Sequence, residues 1–179
     1  MDDVTRTASA TDAATGQAGL PQHHDLRRLL GYWSHCRRGR SFPSRTDIDP
    51  LDFAFMLNRV ALTEVYEADP RDPPPSYARP SAGGRYFRFR IVGSWWRDVV
   101  GREMTGSWAD DLPDPRMTDI TVGFYERMIA LRQPLYATRD AWIEEKRLNY
   151  QILILPLSAD GVRVSMIMTG IGPNNPLHA

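Results

Sequence analysis

The side chains able to do chemistry are few, and their spacing suits little of it. The four histidines are His23, His24, His35 and His178, so none falls between residues 36 and 177. A Ser–His nucleophile pair inside the body of the chain therefore lacks its base. No His/Cys grouping has the spacing of a zinc site. The one thiol, Cys36, precludes an intrachain disulfide. No Gly-x-Ser-x-Gly elbow, phosphate-cradling glycine loop or His-Glu-x-x-His helix occurs. Asp110-Asp111 and Glu144-Glu145 are acid pairs of the kind used in general acid–base work. Neighbours on a strand or helix point apart, however, and solvated turns are the simpler reading. What remains is aromatic. Trp95, Trp96 and Trp108, with Phe124 and Tyr150, either fill a core or line a pocket in which Tyr150 is the polar handle.

The elements that must position these rings follow from periodicity. In 86–92, Phe87, Phe89 and Ile91 share one face, while Tyr86, Arg88 and Arg90 share the other. In 147–155, Leu148, Tyr150, Ile152 and Ile154 share a face, and Val162, Val164, Met166 and Met168 repeat the alternation. Period two predicts antiparallel strands with one buried face. With 60–66 and 135–143, the expected strands number five, the last over 162–171 after an Asp160-Gly161 turn. Asp114-Pro115 is a cap followed by proline at the first helical position. It opens a helix on which Met117, Ile120, Phe124, Met128 and Leu131 form one stripe before Pro134. A short helix is expected at 95–100, and another from Asp49-Pro50 to about Leu57. Upstream, Leu26, Leu29, Leu30, Trp33 and Cys36 recur at helical spacing over 25–38 with arginines opposite, and Gly39 is a natural stop. Residues 68–84 hold prolines at 70, 73, 74, 75 and 80, which predicts a long solvated loop.

The bulk numbers bound the rest. A chain of 179 residues, 42% hydrophobic, suits one domain with extensions. Its 22 basic and 22 acidic residues cancel, so no overall field points to nucleic acid or membrane. Lys146 is the sole lysine. Six arginines and no acid lie between Arg27 and Arg45. They solvate a helix face or meet an acidic or phosphate-bearing partner. Asp47, Asp49 and Asp52 follow at once and oppose docking in a DNA groove. The first twenty residues carry no apolar stretch, so no secretory leader is expected, and no run is long enough to span a bilayer. A cytoplasmic location is expected.

Four segments in order, 44–50 (SRTDIDP), 87–93 (FRFRIVG), 101–106 (GREMTG) and 153–158 (LILPLS), resemble a subgroup of bacterial stand-alone PAS domain proteins over about residues 25–171. The order of elements, two strands, small helices, a long helix and three strands, is also similar to a PAS domain. The resemblance implies an α+β fold, a five-stranded antiparallel sheet with helices on one face, here preceded by an amphipathic helix. It divides the chain into a disordered tail (1–22), a helical extension (23–58), a PAS-like domain (59–172) carrying the loop 68–84, and a tail (173–179). It implies a non-enzymatic sensory or regulatory role with no output module, exercised through ligand binding, protein–protein interaction or both. The pocket walls would be Phe89, Ile91, Trp95, Phe124, Met128, Tyr150 and Ile152, suiting a small hydrophobic ligand. Haem is not expected without an interior imidazole. Nor is a covalent flavin or thioester chromophore, because Cys36 lies on the amino-terminal helix. Leu26, Leu29, Leu30 and Trp33 form a stripe expected to pair two copies as a homodimer, with a signalling protein as further partner. The competing readings are a small α+β pocket enzyme of the isomerase or dehydratase kind and a filled-core interaction scaffold.

Overall fold

The computed structural model describes residues 20–143 and 146–174. The tail before residue 20, Glu144-Glu145, His178 and the last five residues lie outside them. Five strands form one antiparallel sheet in the order β2-β1-β5-β4-β3. They are β1 (Val60–Glu67), β2 (Arg85–Val92), β3 (Leu135–Ile143), β4 (Lys146–Leu157) and β5 (Met166–Pro173). Helices α2 (Ser94–Val100) and α3 (Pro115–Leu131) intervene between β2 and β3, and α1 (His24–Cys36) precedes the sheet. Asp114 caps α3 by accepting from Arg116 N, with Pro115 at the first helical position, as its sequence predicts. No helix among the described residues is long and apolar enough to cross a membrane.

Each face of the sheet carries its own hydrophobic cluster. On the inner face, α2 and α3 pack over Phe87, Phe89, Leu135, Tyr150, Ile154 and Ile167. On the outer face, α1 and a 3₁₀ segment (Pro50–Arg59) cover Val60, Leu62, Leu153, Leu155 and Met168. The two faces explain why β4 and β5 read as nearly continuous apolar runs.

The outer cluster redirects the amphipathic stripe. Leu26, Leu29 and Trp33 are buried against the chain's own sheet, and only Leu30 lies at the margin. They do not form a free surface for a second copy. The physical reason is a close approach that two glycines permit. A Cβ on Gly170 would stand 2.6 Å from Leu29 Cδ2, and one on Gly172 2.5 Å from His23 Cγ. Polar contacts fix the same docking. Trp33 Nε1 donates to Pro156 O at 2.9 Å, Gln151 Oε1 accepts from the Gln22 and His23 amides, and Arg59 pairs with Asp25 at 2.7 Å. α1 ends at Cys36, earlier than the expected stop at Gly39, and Arg38 and Gly39 then turn the chain with positive φ.

Two further expectations change. The last strand starts at Met166 rather than residue 162, and Val162 is exposed. The Asp160 carboxylate accepts from the amides of Arg163 and Val162 and from Ser158 Oγ. These amides, above all, hold its pKa to about 2, and a loop built on them cannot also pair as a strand. The proline-rich loop is solvated but tied down. Arg79 pairs with Asp110 at 2.9 Å, Tyr77 Oη donates to Asp111, and Glu126 on α3 receives Ser81 Oγ and Arg85. Asp110 and Asp111 are thus anchor points for the loop. Glu126→Ala should release it. Losing a half-buried ion pair worth about 1 kcal/mol should speed chymotryptic cleavage after the exposed Tyr77 about fivefold. Equal cleavage rates in the two proteins would show that the anchor holds nothing.

Candidate functional site

The inner face gathers six of the seven pocket candidates. Phe89 comes from β2, Trp95 from α2, Phe124 and Met128 from α3, and Tyr150 from β4, all buried; Ile152 is partly buried beside them. Trp95 and Trp96 are successive on α2, about 100° apart around its axis, and both reach Tyr150. The ring centroids stand 6.2 and 6.3 Å from it and 5.1 Å from each other, with edge-on geometry. Trp108 belongs elsewhere, packing edge-on against Tyr66 and Tyr86 at 5.3 and 6.4 Å.

Ile91 leaves the group. Phe89 stands opposite Thr63, but Ile91 stands opposite Leu62, so the register slips by one residue and Arg90 is extra. A bulge of this kind breaks the period-two rule. It turns Ile91 to the outer face, where it is 50% exposed and lines a groove.

One inner-face residue gives no signal in a search for aromatic walls. Arg139 is only 7% exposed, stands opposite Tyr150 in the β3–β4 pairing, and holds its Cζ 5.8 Å from the Phe124 ring centroid. A buried guanidinium is retained only where partners compensate its desolvation. The available clue is phase: Arg139 occupies the same inward positions of β3 as Leu135, Ala137 and Ala141. Behind this cluster, Tyr125 Oη and Thr63 Oγ1 lie 3.1 Å apart, and burial pushes the Tyr125 phenol up. The site offers aromatic stacking surface and one buried cation.

The arginines between 27 and 45 are largely engaged in the fold. Arg28 lies 3.6 Å over the Phe55 ring, Arg37 lies 5.3 Å over Trp33, and Arg40 pairs with Asp47 at 2.6 Å. Asp47 also accepts from the Ser44 amide and hydroxyl, and these, then Arg40, hold its pKa to about 2. Among the described residues, no group of three or more His, Cys, Asp or Glu side chains is placed to hold a metal.

Residues 21–69 match the family model described as PAS domain. That stretch runs from the start of α1 to the end of β1 and contains the first of the four sequence segments, 44–50. A solved structure of the PAS domain from Bordetella pertussis BvgS is similar at 13% identity, with 67% of this chain and 79% of that chain covered and a TM-score of 0.47. No curated protein matches the chain. The matched segment leads into a five-stranded antiparallel sheet whose inner face is packed by helices, and over residues 21–69 the chain is similar to a PAS domain.

Proposed function

We propose that the protein is a sensory or regulatory module that holds a small, largely apolar ligand non-covalently at the inner face and reports occupancy to a protein partner, without catalysis. The observation supporting this reading is the convergence of Trp95, Trp96, Phe124 and Tyr150 from three elements around the buried Arg139. Aromatic walls supply burial at roughly 25 cal/mol per Å², and one charged group orients the guest. No haem or covalent flavin enters this reading. A PAS domain serves sensing and regulation in general, and the ligand narrows that role.

A filled-core interaction scaffold is the second reading, favoured by the complete burial of Met128. Two measurements separate them. Mass spectrometry of small molecules released from purified protein should find a stoichiometric guest. Ile152→Phe and Met128→Trp should displace that guest with the melting temperature unchanged or raised. Loss of about 1–3 kcal/mol in both variants, as overpacking of a filled core gives, with no released molecule, would leave the scaffold.

A further inference from the structure

The outer face is covered unevenly. α1 shelters β4 and β5, but over β1 the cover is the 3₁₀ segment, whose backbone leaves helical geometry at Phe53 and Met56. Between this segment and β2 lies an open groove of about 660 Å³. Its floor is apolar, built by Val60, Leu62 and Phe53, all buried. Its rim exposes Leu57 at 46% and Ile91 at 50%. Two local irregularities border it: the bulge that turns Ile91 outward and the departures from helical geometry at Phe53 and Met56. Both leave apolar area in water, which is the mark of a binding surface.

Arg45 is the only charged residue in the lining. Its guanidinium donates to Ile48 O at 3.0 Å and has no carboxylate partner among the described residues. Arg40 and Arg59, by contrast, are paired with Asp47 and Asp25. The groove is therefore an apolar trough with a cation that no local acid neutralises. Its volume falls within the roughly 300–1,000 Å³ usual for small-molecule sites. The exposed large apolar residues nearby, Leu51, Leu57 and Ile91, are too few for the about 800 Å² per partner of a stable protein interface.

We infer that this groove is a second binding site, separate from the inner face, for an amphiphile with an apolar chain and a single carboxylate head. The chain lies along Leu62, Leu57 and Ile91, and the head meets Arg45.

The test is calorimetric titration of the full chain with sodium decanoate and with decyltrimethylammonium, both below micelle formation. Decanoate should bind saturably at one per chain, and the cation at least ~10-fold more weakly. Arg45→Gln should weaken decanoate about tenfold. Ala54→Phe places a ring in the trough from an exposed position and should abolish binding without lowering the melting temperature. Met128→Trp, on the inner face, should leave binding intact. Absence of saturable binding overturns the assignment, as does equal affinity for the cation or binding retained by Ala54→Phe. Loss of binding in Met128→Trp alone would move the amphiphile to the inner face. If decanoate fails to bind and Ala54→Phe converts a sedimenting dimer to a monomer, the occupant is a second copy of this chain and the amphiphile is excluded.

Discussion

Trp33→Ala is expected to bring the protein close to unfolding at room temperature. Trp33 is buried at the centre of the outer cluster and donates to Pro156 O at 2.9 Å. Truncating a buried tryptophan typically costs about 3–5 kcal/mol, and an orphaned carbonyl adds about 1–3 kcal/mol. Domains of this size have about 5–15 kcal/mol in total. At roughly 2–4 °C per kcal/mol, the melting temperature should fall by at least about 8 °C. Trp33→Phe keeps most of the ring and loses the donor, so it should cost the smaller share. Leu30→Ala, on the same stripe but at its margin, should change little. Calorimetric melts and sedimentation of the three variants decide between the two roles of the stripe. If Trp33→Ala melted like the parent and sedimented as a smaller particle, the stripe would be an interface between copies. For the same reason, a chain lacking residues 1–40 should lose its outer core rather than a partner.

How far each element could be read from sequence depended on whether its determinants were local. The stripe Leu26, Leu29, Trp33 is visible in its own helix, but the surface receiving it depends on Gly170 and Gly172, far along the chain. Helix α3 was legible because its cap, its proline and its apolar positions are contiguous. The inner-face rings followed from alternation wherever the pairing stayed regular, and Ile91 failed where a bulge inserted Arg90. Alternation records which residues are apolar and is silent on register. The expected strand 162–171 is too long because Asp160 takes the amides of Val162 and Arg163 through its side chain, a competition that hydrophobic pattern does not encode. Arg139 gives no such signal, because a charged residue in a strand ordinarily faces water. Only its phase among Leu135, Ala137 and Ala141 marks it as inward. The acidic pair Asp110-Asp111 gained its role from Tyr77 and Arg79, members of a proline-rich loop whose path local rules leave open.

Gly93→Ala is expected to be nearly as damaging as the loss of Trp33, although it adds a single methyl group. Gly93 closes the segment 87–93, and its φ of −63° suits alanine, so the substitution brings no backbone strain of its own. The cost is steric. A Cβ at this position would stand 2.2 Å from Asn58 O and 2.4 Å from Asn58 C, both main-chain atoms. No rotamer change relieves a collision between backbones. Gly93 N also donates to Val60 O at 2.9 Å, which ties the two chains at the contact. Relief would require the junction between the 3₁₀ segment and β1 to move off β2, opening the outer cluster at Val60 and Phe53. Overpacking typically costs about 1–3 kcal/mol, and a rigid neighbour puts this case at about 3 kcal/mol or above. Gly31→Ala is the matched control. Nothing lies within 4 Å of its added Cβ in the middle of α1, so it should stabilise by about 0.5–1 kcal/mol. Opposite signs for the same chemical change, read from denaturant midpoints, are the expected result. If Gly93→Ala unfolds at the parent's midpoint, the 3₁₀ segment yields freely, and the groove it borders is not held open by the fold.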